Sequence, residues 1–240
     1  MNVEARCVLL SISDTIARMK TSEYLCGNRY PGRLIAAGVT PSGKLVYAYA
    51  IMGRSQNSRN RVFRQKGEEL YTEPFDASKV QDPSLIIYPA ILKAGSITIV
   101  TNGDQTLDIQ RALLSGKTAK SALEARTYEP DAPNYTPRIS MVVGKDEFEF
   151  SILRRREDGS CDRSFWRLPK KAGTLYMIHT YDSDGNPLPA FSGDPKVLES
   201  EDSYAPILWK SLDHENKISL YVREGDDETL YNAREEENEN

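Results

Sequence analysis

The sequence is poor in the residues that build metal centres and disulfide frameworks. It has 3 cysteines, Cys7, Cys26 and Cys161. An odd, scattered set does not pattern as a disulfide framework and suits a reducing compartment. It has 2 histidines, His179 and His214, and neither has a Cys or His at ligand spacing, so no metal site is expected. His179 lies in an apolar strand and reads as a satisfied core or cleft histidine. "DSDGNP" from Asp182 reads as a turn, because its glycine comes too early for a calcium loop and no glutamate closes it. No stretch approaches the roughly 20 apolar residues of a membrane span, and "CVLLSIS" is too short for a secretion signal. The formal net charge is −4, against the basic footprint of a nucleic-acid binder. Also absent are a G-x-G-x-x-G after a strand, a Walker sequence and a G-x-S-x-G elbow. These absences lead to the expectation of a cytoplasmic protein without nucleic-acid or membrane partners.

What remains is an ordinary composition, 39% hydrophobic and 28% charged over 240 residues, enough for one domain or two small ones. Residues 1–27 read as a leader, with Asp14 capping a helix "TIARMKTSEYL". "RLIAAGV" and "LVYAYAIM" are β-rich runs joined by "TPSGK", where Pro41 and Gly43 suit a type I turn with a bulge. "SLIIYPAIL" and "SITIVT" pair across "KAG". "LDIQRALL" is a helix closed by Gly116, and Thr118 caps a second. "RISMVVG" and "EFEFSILRR" make a further hairpin. "TLYMIHTYD" is a strand, "EDSYAPILWKSL" a helix, and "KISLYVRE" a last strand. The tail, residues 225–240, is acidic and is expected to be partly disordered. Hairpins with helices between and after them predict an α+β chain whose antiparallel sheets are covered by helices.

Against the acidic background, "GRSQNSRNRVFR" gathers Arg54, Arg59, Arg61 and Arg64 directly after a strand, with Ser55, Asn57, Ser58 and Asn60 as neutral donors. Guanidinium groups stay charged and offer forked donors, so the set suits phosphate or carboxylate. Read alone, it is also compatible with a solvated basic loop. "TNGDQT" makes a strand-to-helix turn in which Asp104 or Thr106 can cap. At a cleft it would present polar groups to an anion or amide. Tyr88 sits in an apolar strand and needs a partner for its hydroxyl. Glu129 lies in the proline-rich loop "YEPDAPNYTPR", where a glutamate beside arginines can serve as a base.

Taken in order, "YPGRLIAAGVTPSGKLVYAYAIMGRSQNSRNRVF", "LIIYPAI", "IVTNGDQT" and "YEPDAPNYTPRISMVV" resemble the archaeal-type IMP cyclohydrolase family, strongly from about Tyr30 to Val143 and more weakly to the final strand. The resemblance implies a domain over 28–224, built as a four-layer αββα sandwich similar to the N-terminal nucleophile hydrolases. It implies closure of the purine ring, in which 5-formamidoimidazole-4-carboxamide ribotide loses water to give IMP, with no cofactor. Carried over by motif, Arg54, Asn60 and Arg61 would be the anion and oxyanion contacts, Tyr88 a proton relay and Glu129 the base. Ser55 belongs to the same loop. Thr101, Asn102 and Gly103 would hold the base or carboxamide, and Arg33, Thr136 and Arg138 would line the cleft. The partner implied is a small purine nucleotide, and a homo-oligomer is left open. Two alternatives stand beside this reading: an amide hydrolase exposed by cleavage before Cys26, and a non-catalytic purine-nucleotide binder.

Overall fold

A computed structural model of the chain describes residues 18–80 and 87–236. The expected cap Asp14 and most of the leader lie outside the described residues. Its first helix, α1, is a single turn, Thr21–Tyr24. The strands follow in chain order as β1 (Arg33–Val39), β2 (Leu45–Met52), β3 (Val62–Lys66), β4 (Glu69–Glu73), β5 (Tyr88–Ala94) and β6 (Ile97–Thr101). Then come β7 (Arg138–Val143), β8 (Glu147–Arg155), β9 (Cys161–Pro169), β10 (Thr174–His179), β11 (Lys196–Glu199), β12 (Lys217–Glu224) and β13 (Asp227–Asn232). The other helices are α2 (Gln56–Arg59), α3 (Gln105–Leu114), α4 (Ala119–Leu123), α5 (Tyr204–Ser211) and α6 (Ala233–Glu236).

Two antiparallel sheets result, one ordered β11-β10-β1-β2-β12-β13 and the other β3-β4-β5-β6-β7-β8-β9. Alternation along the strands assigns the faces. Ile35, Ala37, Tyr49 and Ile51 of the first sheet meet Ala90, Val100, Ile139, Met141, Phe148 and Phe150 of the second. Leu34, Ala36, Ala48 and Ala50 point the other way, under Tyr204, Leu208 and Trp209 of α5. Ile99, Val142 and Leu153 pack on Ile109 of α3 and on Ala119 and Leu123 of α4. The layering is therefore α, β, β, α, as the family resemblance implied.

The three predicted hairpins form. Gly43 takes φ +86° in the first, where its N–H donates to the Thr40 carbonyl at 3.0 Å. Thr118 caps α4 by accepting from the Ser121 N–H at 3.1 Å. One expectation needs correction. Neither Asp104 nor Thr106 caps α3 through its side chain, because Asp104 is drawn to Arg126 and Arg138 and Thr106 bonds the Gly103 and Pro89 carbonyls. Within the tail, β13 pairs with β12 from Ser219↔Asn232 to Glu224↔Asp227. Burial explains this strand: Tyr231 stacks on Trp209 at 5.2 Å, and the Asn232 side chain accepts from the Phe63 N–H at 2.9 Å.

Candidate active site

Where β2 ends, the chain folds back on itself. Ser55 caps the short α2 by accepting from the Ser58 N–H, while Ser58 Oγ accepts from the Ser55 N–H at 2.9 Å. Arg61 then turns inward, donating to the Ser58 carbonyl at 2.8 Å and the Met52 carbonyl at 3.1 Å. It is only 1% exposed. Arg54 lies over the Tyr30 ring at 4.9 Å, pairs with Asp184 and donates to the Gly185 carbonyl at 2.9 Å. Of the four arginines read as one cluster, only Arg54 and Arg61 line the cleft. Arg59 reaches Asn216 and Arg64 reaches Glu235.

The cleft encloses about 220 Å³. One wall comes from "YPGR", zipped to the end of β10. The Thr180 N–H donates to the Arg33 carbonyl at 2.9 Å, and the Tyr181 N–H to the Pro31 carbonyl at 3.2 Å. Gly32 makes this approach feasible, because a Cβ there would stand 2.6 Å from the Tyr181 ring, and its φ is +79°. Tyr30 and Tyr181 consequently stack at 6.0 Å. Between them and the arginine loop sits Arg33, whose Nε is buried without a hydrogen-bond partner among the described residues. A buried cation with a free donor is costly unless an anion meets it.

Glu129 supplies the opposing charge. It is 4% exposed and its N–H donates to the Thr136 carbonyl at 2.9 Å. Burial pushes its carboxyl up to about 7, although Arg33, Arg138 and Arg61 pull the other way; Asp131 adds to the rise. Burial lowers the Arg33 guanidinium, but Glu129 together with Tyr30, Tyr181 and Tyr88 more than offsets it, so the net shift is upward. Arg61 is lowered by burial and then by the Arg33 charge. The pairing of Arg138 with Glu129 is loose, 3.9 Å, since Arg138 Nη1 donates to Asp104 Oδ1 and Gln105 Oε1 at 2.8 Å each.

The turn between β6 and α3 stands behind this wall. Asn102 donates to the Pro137 carbonyl at 2.9 Å, and its Oδ1 accepts from the Ile139 N–H at 2.8 Å and from Gln105 at 3.1 Å. Thr101 Oγ1 donates to the Gly103 carbonyl and meets Thr106 Oγ1. A Cβ on Gly103 would meet Arg138 Nη1 at 2.7 Å and Glu129 Oε1 at 3.2 Å, so glycine is what lets these two approach.

The residues predicted from sequence thus fall into two groups. Arg33, Arg54, Ser55, Arg61, Glu129 and Thr136 line one cleft. Asn60, Thr101, Asn102, Gly103 and Arg138 are not among its lining residues. Asn60 clamps both backbone groups of Asp76 at 2.8 Å, and the other four frame the Glu129 loop. Tyr88 lies one layer back, its hydroxyl 2.7 Å from that of Tyr49, where it feels the charges of Arg33 and Arg61. Sequence reasoning did not single out Tyr30, Asp131, Asn134 or Tyr181 for the lining. Tyr30 was at hand inside "YPGR". Tyr181 lay inside the run "TLYMIHTYD" read as a strand, but the strand ends at His179, and no local pattern marks Tyr181 as a cleft residue. Cys26 is an exposed free thiol and is not a lining residue. Among the described residues no group of three or more His, Cys, Asp or Glu is placed to hold a metal ion.

A two-sheet sandwich with arginines and a buried carboxyl lining one cleft has the donor set an organic anion requires, beside a titratable group. Comparison with known proteins narrows the class. The chain belongs to the family described as IMP cyclohydrolase-like protein, whose sequence model matches residues 30–229. It is similar to the IMP cyclohydrolase of Methanopyrus kandleri, 30% identical over 157 residues, 63% of this chain and 75% of the relative. It is also similar to the IMP cyclohydrolase of Methanococcus maripaludis strain S2, 27% identical over 159 residues, 64% of this chain and 75% of the relative.

Proposed function

We propose that this protein is an IMP cyclohydrolase, closing the purine ring of 5-formamidoimidazole-4-carboxamide ribotide to IMP with loss of water. The observation that carries the chemical reading is Glu129, a buried carboxyl poised near neutrality and faced by the unpaired Arg33 donor. Family membership and the named relatives support the reaction.

In this reading the carboxamide nitrogen attacks the formyl carbon, and the formyl oxygen departs as water with one proton from the carboxamide nitrogen and one from the formamido nitrogen, leaving the new C=N bond. An amide nitrogen is a weak nucleophile, so holding it against the formyl carbon is a large part of the work. Glu129 takes the carboxamide proton, since a base near pH 7 is matched to its task. Arg33 and Arg61 face the formyl oxygen as it gains charge. Arg54, with Ser55, Asn57 and Ser58, meets the ribotide phosphate at the exposed mouth. Tyr88 relays a proton from the layer beneath. The turn Thr101–Gly103, with Arg138, keeps Glu129 in place without contacting the substrate, a narrower role than the motif suggested. The domain that carries the site begins near residue 28 and extends past 224 through β13. A cytoplasmic location follows from the reaction, and Cys26 and Cys161 as free thiols agree with it.

The test is direct: purified protein is mixed with the formamido ribotide, and IMP is followed against a no-enzyme blank. Turnover that falls about a hundredfold or more in Glu129→Gln and in Arg33→Ala is expected. A folded wild type without turnover overturns the reading.

A further inference from the structure

Three cleft side chains form a chain whose hydrogen-bond direction can be worked out. Asp131 lies beside the mouth, with both carboxylate oxygens turned on Thr136. Oδ1 accepts from the Thr136 N–H at 2.7 Å, and Oδ2 contacts Thr136 Oγ1. Thr136 Oγ1 is in turn 2.5 Å from the Tyr181 hydroxyl. Thr136 and Tyr181 are each 1% exposed, so neither contact is exchanged freely with water.

A carboxylate has no proton to give, so the proton between Asp131 and Thr136 belongs to the threonine hydroxyl. A hydroxyl has only one proton, and that of Thr136 is therefore spent. The proton between Thr136 and Tyr181 must then be the phenol's own. The phenol keeps that proton at neutral pH, because burial raises it to about 12. Tyr181 consequently turns lone pairs, and no proton, toward the cleft it lines. The cations that line the same cleft, Arg33, Arg54 and Arg61, are all donors. The carboxylates aside, Tyr181 is thus a neutral acceptor in a cationic pocket.

Resting on the ring-closure reading, we propose that Asp131 and Thr136 fix Tyr181 as a hydrogen-bond acceptor for an N–H of the substrate's carboxamide. Accepting one amide proton leaves the other for Glu129 and turns the nitrogen toward the formyl carbon. Tyr181 then touches the reacting group, while Asp131 is a positioning residue that acts through Thr136. The same polarity disfavours a ligand that presents a carbonyl oxygen at this place, because two acceptors would face each other.

The experiment is a double-substitution cycle on turnover of the formamido ribotide, with calorimetric binding of the deformylated ribotide, which keeps the carboxamide. Tyr181→Phe removes the acceptor and is expected to lower kcat about tenfold or more. Asp131→Asn can donate its amide to Thr136, freeing the threonine to donate to Tyr181 and the phenol proton to turn into the cleft. It should cost nearly as much in the wild type and almost nothing in the Tyr181→Phe background. Thr136→Ser keeps the chain and should stay within about threefold of wild type. Equal costs of Asp131→Asn in both backgrounds would make Asp131 a mere loop brace and overturn the proposal. If Asp131→Asn fails to fold, Thr136→Val carries the same comparison, since it also releases the phenol. The binding arm separates the two readings. A wild type that binds the carboxamide ribotide without turning it over overturns ring closure, and Tyr181 then stands if Tyr181→Phe weakens that binding about tenfold. Unchanged binding and unchanged turnover in Tyr181→Phe overturn the acceptor role.

Discussion

At the scale of single residues, the cleft turns on the tension between Glu129 and the cations around it. Burial raises the carboxyl to about 7 while Arg33, Arg138 and Arg61 hold it down. If Glu129 is the base, kcat/KM should rise with pH through an apparent pKa near 7, as measured from pH 5 to 9. Arg33→Gln removes the largest of the opposing charges, so that limb should move to higher pH while the maximum rate falls. A limb that stays in place would mean that another group sets the profile. Glu129→Gln imitates the protonated acid and should abolish most of the turnover while making the fold firmer. The sign follows from linkage. A carboxyl whose folded pKa lies above its unfolded 4.5 contributes fully below pH 4.5, and that contribution is lost as pH rises to about 7. The Gln variant should match the wild type near pH 4.5 and exceed it at pH 8 by an amount on the order of 3 kcal/mol, read by urea unfolding.

At the scale of elements, the β6–α3 turn is the part that carries precision. Asn102 satisfies the Pro137 carbonyl, the Ile139 N–H and Gln105 at once, all away from water. Asn102→Ala leaves buried partners unmet and should cost about 3 kcal/mol in urea unfolding. Because Gly103, Arg138 and Glu129 share that wall, turnover should fall more than the stability loss alone explains. A variant of normal activity would show the turn to be a mere connector. This turn was legible as a turn, and "TNG" as a motif, but its role was not, since its donors could equally face a ligand or the neighbouring strand. The interior strands β1, β2, β5, β6, β7, β8, β10 and β12 were also legible, being long apolar runs. The strands that escaped reading were the edges, β3 and β9 of one sheet and β11 and β13 of the other, together with β4 beside β3. Their sequences, such as "VFRQK", "CDRSFWRLP" and "DETLYN", are charged because an edge must resist pairing with other chains. Hydrophobic pattern is blind to such strands for that physical reason. Arg59 and Arg64 were misread for a related one: proximity in sequence does not survive the strand that starts at Val62, which carries Arg64 off to Glu235.

At the scale of the whole molecule, two buried titratable groups pull stability in opposite directions with pH. His179 accepts from the Tyr24 hydroxyl through Nε2 at 2.6 Å and donates through Nδ1 to the Tyr181 carbonyl at 2.8 Å, and burial lowers it to about 4. It thereby ties the α1 segment to the strand end that carries Tyr181. A histidine whose folded pKa lies below its unfolded 6.5 contributes fully above pH 6.5, and that contribution is lost as pH falls toward 4. Glu129 does the reverse between 4.5 and about 7. Across the shared window from pH 4.5 to 6.5 the two slopes, each about 1.4 kcal/mol per pH unit, offset each other, so wild-type stability should be nearly flat there. The balance is exposed by removing one side. In Glu129→Gln only the His179 slope remains, and unfolding free energy should climb steadily between pH 4.5 and 6.5 in the same urea series. Tyr24→Phe leaves His179 Nε2 without its donor and should lower stability by about 1 to 2 kcal/mol at pH 7, loosening α1 from β10. A flat Glu129→Gln curve beside a wild type whose stability falls between pH 4.5 and 6.5 would mean that His179 is open to water in solution, and two flat curves would mean that both groups are. The kinetic limb near pH 7 checks the Glu129 half independently: its persistence in the wild type keeps that carboxyl buried as described.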